Sequence, residues 1–163
     1  MTILDGKKLS EKIQQKLKTE ITGLNKKLRL AVVVVGQNPV VERFVNQKRK
    51  TATELGVDFK IYPFPENITT NELRKKLADI VHERKNTGVI IQLPLPAQVS
   101  SQYILNSIVP EKDVDILSAN AIGNFVVNKS PIMPPVVGAI RAFFYEYKIE
   151  YRCEREHRIP LKS

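Results

Sequence analysis

Few side chains in this sequence stand where their type and spacing could do chemistry. Lys48 and Lys50 flank Arg49 in a stretch with helical patterning. Two apart on a helix, they point in different directions, so only one faces a given cleft. A lysine desolvated in a cleft can shuttle a proton or stabilise developing charge, whereas on a solvated face it does neither. Gln92 ends the apolar run Val89-Ile90-Ile91 and precedes Leu93-Pro94-Leu95-Pro96. An amide at the end of a buried strand needs partners. It either bonds a loop or meets Lys48 or a ligand, and its position leaves both open. Asp113 and Asp115 flank Val114 after Pro110. Both suit exposed turns. Alternatively, one carboxylate takes a pair of donors from a heterocycle with adjacent N–H groups.

Other chemistries find little support. The two histidines, His82 and His157, are far apart and lack a ligand-spaced cluster, so no metal is expected. There is no nucleophile elbow and no phosphate-cradling glycine loop. With 42% hydrophobic and 26% charged residues in 163, the chain reads as one globular domain able to bury a core. Its apolar runs are too short to span a bilayer, and its start does not read as a secretory signal. A single cysteine, Cys153, fits a reducing compartment, which makes the cytoplasm the expected location. The net charge of +9 raises nucleic acid as a partner. The lysines scatter along the polar side of the first helix, however, and a solvated face explains them better. The same field would also serve an anionic small molecule such as a polyglutamate tail.

These residues need elements to position them. Leu9, Ile13, Leu17, Ile21 and Leu24 recur at helical spacing and predict a long helix over about residues 7–28. Leu30 to Val35 reads as a buried strand ending at Gly36. A helix over about 39–55 follows, entered through Asn38-Pro39 and stopped by Gly56. Val57 to Tyr62 predicts a strand, Thr69 or Thr70 caps a helix with Leu73, Leu77, Ile80 and Val81 inside, and Val89 to Gln92 predicts a third strand. Short helices are expected near Tyr103 to Ile108 and Gly138 to Tyr147. Strands alternating with helices imply an α/β fold: a three-layer domain whose small, mostly parallel sheet is flanked by helices. In such sheets ligands sit beyond the carboxyl ends of the strands, where Gly36 to Pro39 and Gln92 to Pro94 fall.

Four segments carry a family resemblance: the opening LDGKKLSEKI, the VGQNP turn with its Lys48-Arg49-Lys50 helix, the IIQLPLP strand end, and PEKDVD. Together and in this order they resemble the N-terminal, folate-binding catalytic domain of the bifunctional methylenetetrahydrofolate dehydrogenase/methenyltetrahydrofolate cyclohydrolase family, over about residues 3–149. The resemblance implies that Lys48 is the catalytic lysine and that Gln92 orients it. It further implies that Asp115 grips the pterin ring and that Leu93 and Pro94 wall the folate cleft. Phe44 stands where the family usually has a tyrosine working with the lysine. Losing that hydroxyl removes a charge-assisted hydrogen bond worth about 1.5–3 kcal/mol. Val41 replaces a common serine, and Ile116 a glycine whose freedom the pterin loop uses. Ala121 and Asn124 replace an asparagine and an arginine, and Pro134-Pro135-Val136-Val137 replaces a Pro-Cys-Thr-Pro stretch.

The family uses NADP, held by a second, Rossmann-type domain. Residues 150–163 read instead as a divergent basic tail, expected to be poorly ordered, with neither the strand nor the glycines to begin one. No cofactor-binding residue is therefore expected, nor dehydrogenase activity from this chain alone. The expected function is a folate-site scaffold of one-carbon metabolism with impaired catalysis, in which residual cyclohydrolase activity stays open. The expected partners are tetrahydrofolate derivatives and, in association, an intact homologue. The competing readings are a non-catalytic folate-binding or regulatory module and, less well supported, a basic nucleic-acid-binding module.

Overall fold

The computed structural model describes residues 4–150, so the expected tail lies, apart from Glu150, outside the described residues. Three parallel strands form the sheet: β1 (Arg29–Val35) in the centre, with β2 (Asp58–Phe64) and β3 (Gly88–Ile91) on either side. The run Ala-Val-Val-Val-Val suits a strand covered on both faces. Pro63 is tolerated in β2 because that strand is an edge, where one missing amide hydrogen breaks no central ladder.

The alternation of a strand divides the core in two. Ala31, Val33, Val89 and Ile91 pack against Leu73, Leu77, Ile80 and Val81 of α3 (Thr70–His82) and against Ile104 and Leu105 of α4 (Ser101–Leu105). Val32 and Ile90 turn the other way, onto Val41 and Val45 of α2 (Pro39–Glu54). The predicted three-layer α/β arrangement is thus the observed one. Local chemistry sets the helix starts. Asn38 Oδ1 accepts from the amides of Val40 and Val41. Thr69 and Glu72 form a reciprocal capping box.

Four helices differ from the sequence reading, among them α4, which ends at Leu105 rather than near Ile108. The first helix, α1 (Gly6–Thr22), stops well before residue 28: Gly23 makes the last helical bond, to the Thr19 carbonyl, and Leu24 beyond it is exposed. Apolar periodicity ran past this stop. Ala119–Val126 forms a helix, α5, that was not foreseen. Ser118, which caps it by accepting from the amide of Ala121, was the signal. The last helix, α6 (Pro135–Glu146), begins three residues early, as a proline at the first helical position allows. It lies on α1 rather than on the sheet. Lys12 pairs with Glu146 at 2.7 Å, and the Tyr147 hydroxyl accepts from the amide of Asp5.

Candidate functional site

The carboxyl ends of β1 and β3 bring together three of the side chains singled out by sequence. Lys48 lies one helical turn beyond Phe44 on α2. Gln92 leaves β3, its amide hydrogen still bonded to the Val33 carbonyl of β1. Lys48 Nζ donates to Gln92 Oε1 at 3.1 Å, and Gln92 Nε2 donates to the Leu93 carbonyl at 3.0 Å. Both alternatives for Gln92 therefore hold at once: one end of the amide fixes the loop, the other meets the lysine. Lys50 points away and faces Glu54 on the exposed side, so the two lysines divide as helical geometry requires.

Asp115 arrives from the loop after α4. Its Oδ2 is 4.0 Å from Lys48 Nζ, an ion-pair distance rather than a hydrogen bond. Both side chains are roughly one-third exposed. Burial pushes the Asp115 carboxyl above its ordinary range. Lys48 pulls it back, and Asp113 adds to the upward push. A lysine carries three donors and Gln92 takes one. The lysine and Asp115 thus face each other with hydrogen-bonding capacity that the protein does not consume.

The two aspartates have separate fates. Asp113 is buried at 2% exposure, and its Oδ2 accepts from the amides of Leu117 and Ser118 at 3.1 and 2.8 Å. Ile116, directly after Asp115, has φ +53° and a buried side chain. A β-branched residue in that region costs about 1–3 kcal/mol, so the surrounding packing must enforce it. The turn thus holds a conformation that glycine would adopt without strain.

Of the remaining predicted positions, Phe44 is exposed beside the lysine, and Leu93 and Pro94 are exposed on the loop beyond Gln92, with a cis bond between them. Val41 is different. It is buried in the core beneath α2, so its side chain packs there rather than being presented at the site. Asp113 is the residue that sequence reasoning underrated. The available signal was its place two residues before Asp115, just ahead of the cap of α5.

Residues 4–115 match the family model for the tetrahydrofolate dehydrogenase/cyclohydrolase catalytic domain, a span that contains Lys48, Gln92 and Asp115. The chain belongs to this family. It is 37% identical over 155 residues to the bifunctional protein FolD of Nautilia profundicola, an alignment covering 93% of this chain and 55% of that one. Among solved structures, the bifunctional FolD enzyme of Campylobacter jejuni matches with a TM-score of 0.86 at 35% identity, over 91% of this chain and 54% of that one. The Trypanosoma brucei enzyme, solved with NADP and an inhibitor, shares the fold with a TM-score of 0.83 at 24% identity, over 91% and 52%. The chain thus spans about half the length of the relatives it matches.

The first strand-to-helix turn does not fit a dinucleotide phosphate. The turn from β1 through Gly36 into α2 has the strand, glycine and helix that a phosphate site uses. Its amides are engaged, however: Asn38 takes those of Val40 and Val41, and Pro39 has none. The Glu66 side chain also lies against Gly36, 3.3 Å from where a Cβ would stand, and an acid there opposes a phosphate. Among the described residues no group of acids, histidines or cysteines could hold a metal ion, and no helix is long and apolar enough to cross a membrane.

Proposed function

We propose that the Lys48, Gln92 and Asp115 cluster binds a tetrahydrofolate derivative and supports hydrolysis of its methenyl bridge. The observation that carries this reading is Lys48 Nζ held at 3.1 Å by Gln92 and 4.0 Å from Asp115, at the strand ends where α/β sheets bind ligands. In the reaction, water adds to the carbon bridging two nitrogens and loses a proton. The hydroxyl so formed then gives up its proton as one carbon–nitrogen bond breaks, the released nitrogen takes a proton, and the formyl group stays on the other nitrogen. Lys48 assists these proton movements, and Gln92 holds the ammonium towards the bridge. Asp115 takes the paired N–H donors of the pterin ring, and Phe44, Leu93 and Pro94 line its approach.

Phe44 supplies no hydroxyl to share the proton transfers, so the rate is below that of a site with tyrosine there. Hydride transfer to a nicotinamide is not assigned to these residues. The test is methenyltetrahydrofolate hydrolysis followed by absorbance, beside calorimetry with a stable tetrahydrofolate analogue. Hydrolysis above the buffer rate that is lost in Lys48→Ala supports the reading. Absence of both heat and rate sinks it, and salt-sensitive RNA binding in its place would favour the basic-surface alternative.

A second reading, a non-catalytic folate-binding module that associates with a longer homologue, draws on the outer faces of α5 and α6. Ile122, Val126, Val136, Val137 and Ile140 are exposed there. Analogue binding without hydrolysis, together with co-elution with such a homologue, would put this reading first.

A further inference from the structure

Asp113 is a buried carboxylate that the proposed reaction does not use. It is knotted into the loop that delivers Asp115. Its amide donates to the Val109 carbonyl at 3.2 Å, and its carbonyl accepts from the amide of Ile116 at 3.2 Å, closing a four-residue turn. Its backbone continues the sheet through a parallel bridge to Val89. The next residue, Val114, packs so tightly on β3 that a Cβ at Gly88 would stand 2.7 Å from its Cγ1. Beyond the turn, the Asp113 carboxylate takes the amides of Leu117 and Ser118, the two residues after Ile116 with its φ of +53°. These contacts pull the chain inward on both sides of Asp115 and leave that side chain directed at Lys48.

We propose that Asp113 is a positioning residue of this site: by holding the amides of Leu117 and Ser118 it keeps the turn 113–116 closed across the strained Ile116 and so presents Asp115 to Lys48. The proposal rests on the reading that Asp115 grips the substrate, but part of its test needs no substrate. The charged groups acting on Asp115 are Lys48 from α2 and Asp113 from its own loop, the first favouring the carboxylate and the second opposing it.

Wild type, Asp113→Asn and Asp113→Ala are compared by carbon-13 NMR titration of the Asp115 carboxyl without ligand and by calorimetry with 5-formyltetrahydrofolate. Asparagine keeps an acceptor oxygen for both amides but removes the charge. The Asp115 midpoint should therefore fall in Asp113→Asn, while analogue affinity stays within about threefold of wild type. Alanine removes the acceptor, and affinity should drop about tenfold or more. Removing the Asp113 charge acts on Asp115 through space in both variants, so positioning is read from the difference between them. With the turn open, Asp115 loses Lys48, and its midpoint in Asp113→Ala lies above that in Asp113→Asn. Equal midpoints overturn the proposal. So does a folded Asp113→Ala with wild-type affinity. If the alanine variant does not fold, Asp113→Ser, whose shorter side chain cannot reach both amides, takes its place in both comparisons. A wild type that takes up no analogue, while the Asp115 midpoint in Asp113→Ala still lies above that in Asp113→Asn, would defeat the folate reading and leave the positioning role standing.

Discussion

The two ends of the sheet treat charge in opposite ways. At the amino ends, Arg29 bonds both Asp58 and Glu83. Glu83 also receives the Tyr62 hydroxyl at 2.6 Å and the Lys60 ammonium at 3.4 Å. Asn86, 1% exposed, gives its amide to the Ile80 carbonyl and the Tyr62 hydroxyl. The Tyr62 hydroxyl, then Lys60 and Arg29, hold the Glu83 carboxyl below its usual range. At the carboxyl ends, Lys48 and Asp115 stand 4.0 Å apart with one amide between lysine and loop, and burial holds Asp115 above its range. One end uses its charges on each other and stabilises the fold. The other leaves bonding capacity unspent, which is what the proposed folate site requires.

The largest expected break in this contrast is Lys48→Ala, which should lower methenyltetrahydrofolate hydrolysis by about 10²–10⁴-fold, the span of a lost proton-transfer group. Its urea midpoint should barely move. Next, Asp115→Asn should weaken binding of a tetrahydrofolate analogue in calorimetry by about 10–100-fold, through one or two lost charge-assisted bonds. That variant should be no less stable than wild type at neutral pH. The sign follows from linkage. A carboxyl raised by folding adds stability below its ordinary pKa and loses that contribution as pH climbs through the raised value.

At the other end, Asn86→Ala should cost about 1–3 kcal/mol in urea unfolding, because buried partners are left unpaired. Hydrolysis should persist in it, and a matching loss of activity would mean that the two ends are not separable. The smallest effect is a shift in acid sensitivity. Glu83, lowered by folding, adds stability above the ordinary carboxyl range and loses it as pH falls through the lowered value. Tyr62→Phe removes the main cause, so its acid unfolding should begin at higher pH than in wild type.

The same division governs what was legible. The Ala-Val-Val-Val-Val run, the Asn38-Pro39 entry and the Thr69 to Glu72 box are local signals, and β1, α2 and α3 follow them. The end of α1 and the existence of α5 rest on Gly23 and Ser118, single residues whose weight apolar periodicity hides.

The sequence by itself determined the α/β layering and the candidate residues, because strand and helix periods and side-chain chemistry are written residue by residue. It also placed Gln92 at a strand end and pointed Lys48 and Lys50 apart. Only the tertiary structure decided that the Gln92 amide serves the loop and Lys48 at once, that Val41 belongs to the core, and that Asp113 turns inward while Asp115 turns to Lys48. Those outcomes depend on contacts between segments tens of residues apart. A turn pinned to β3 and to the start of α5 sets the direction of two aspartates that look alike in the chain.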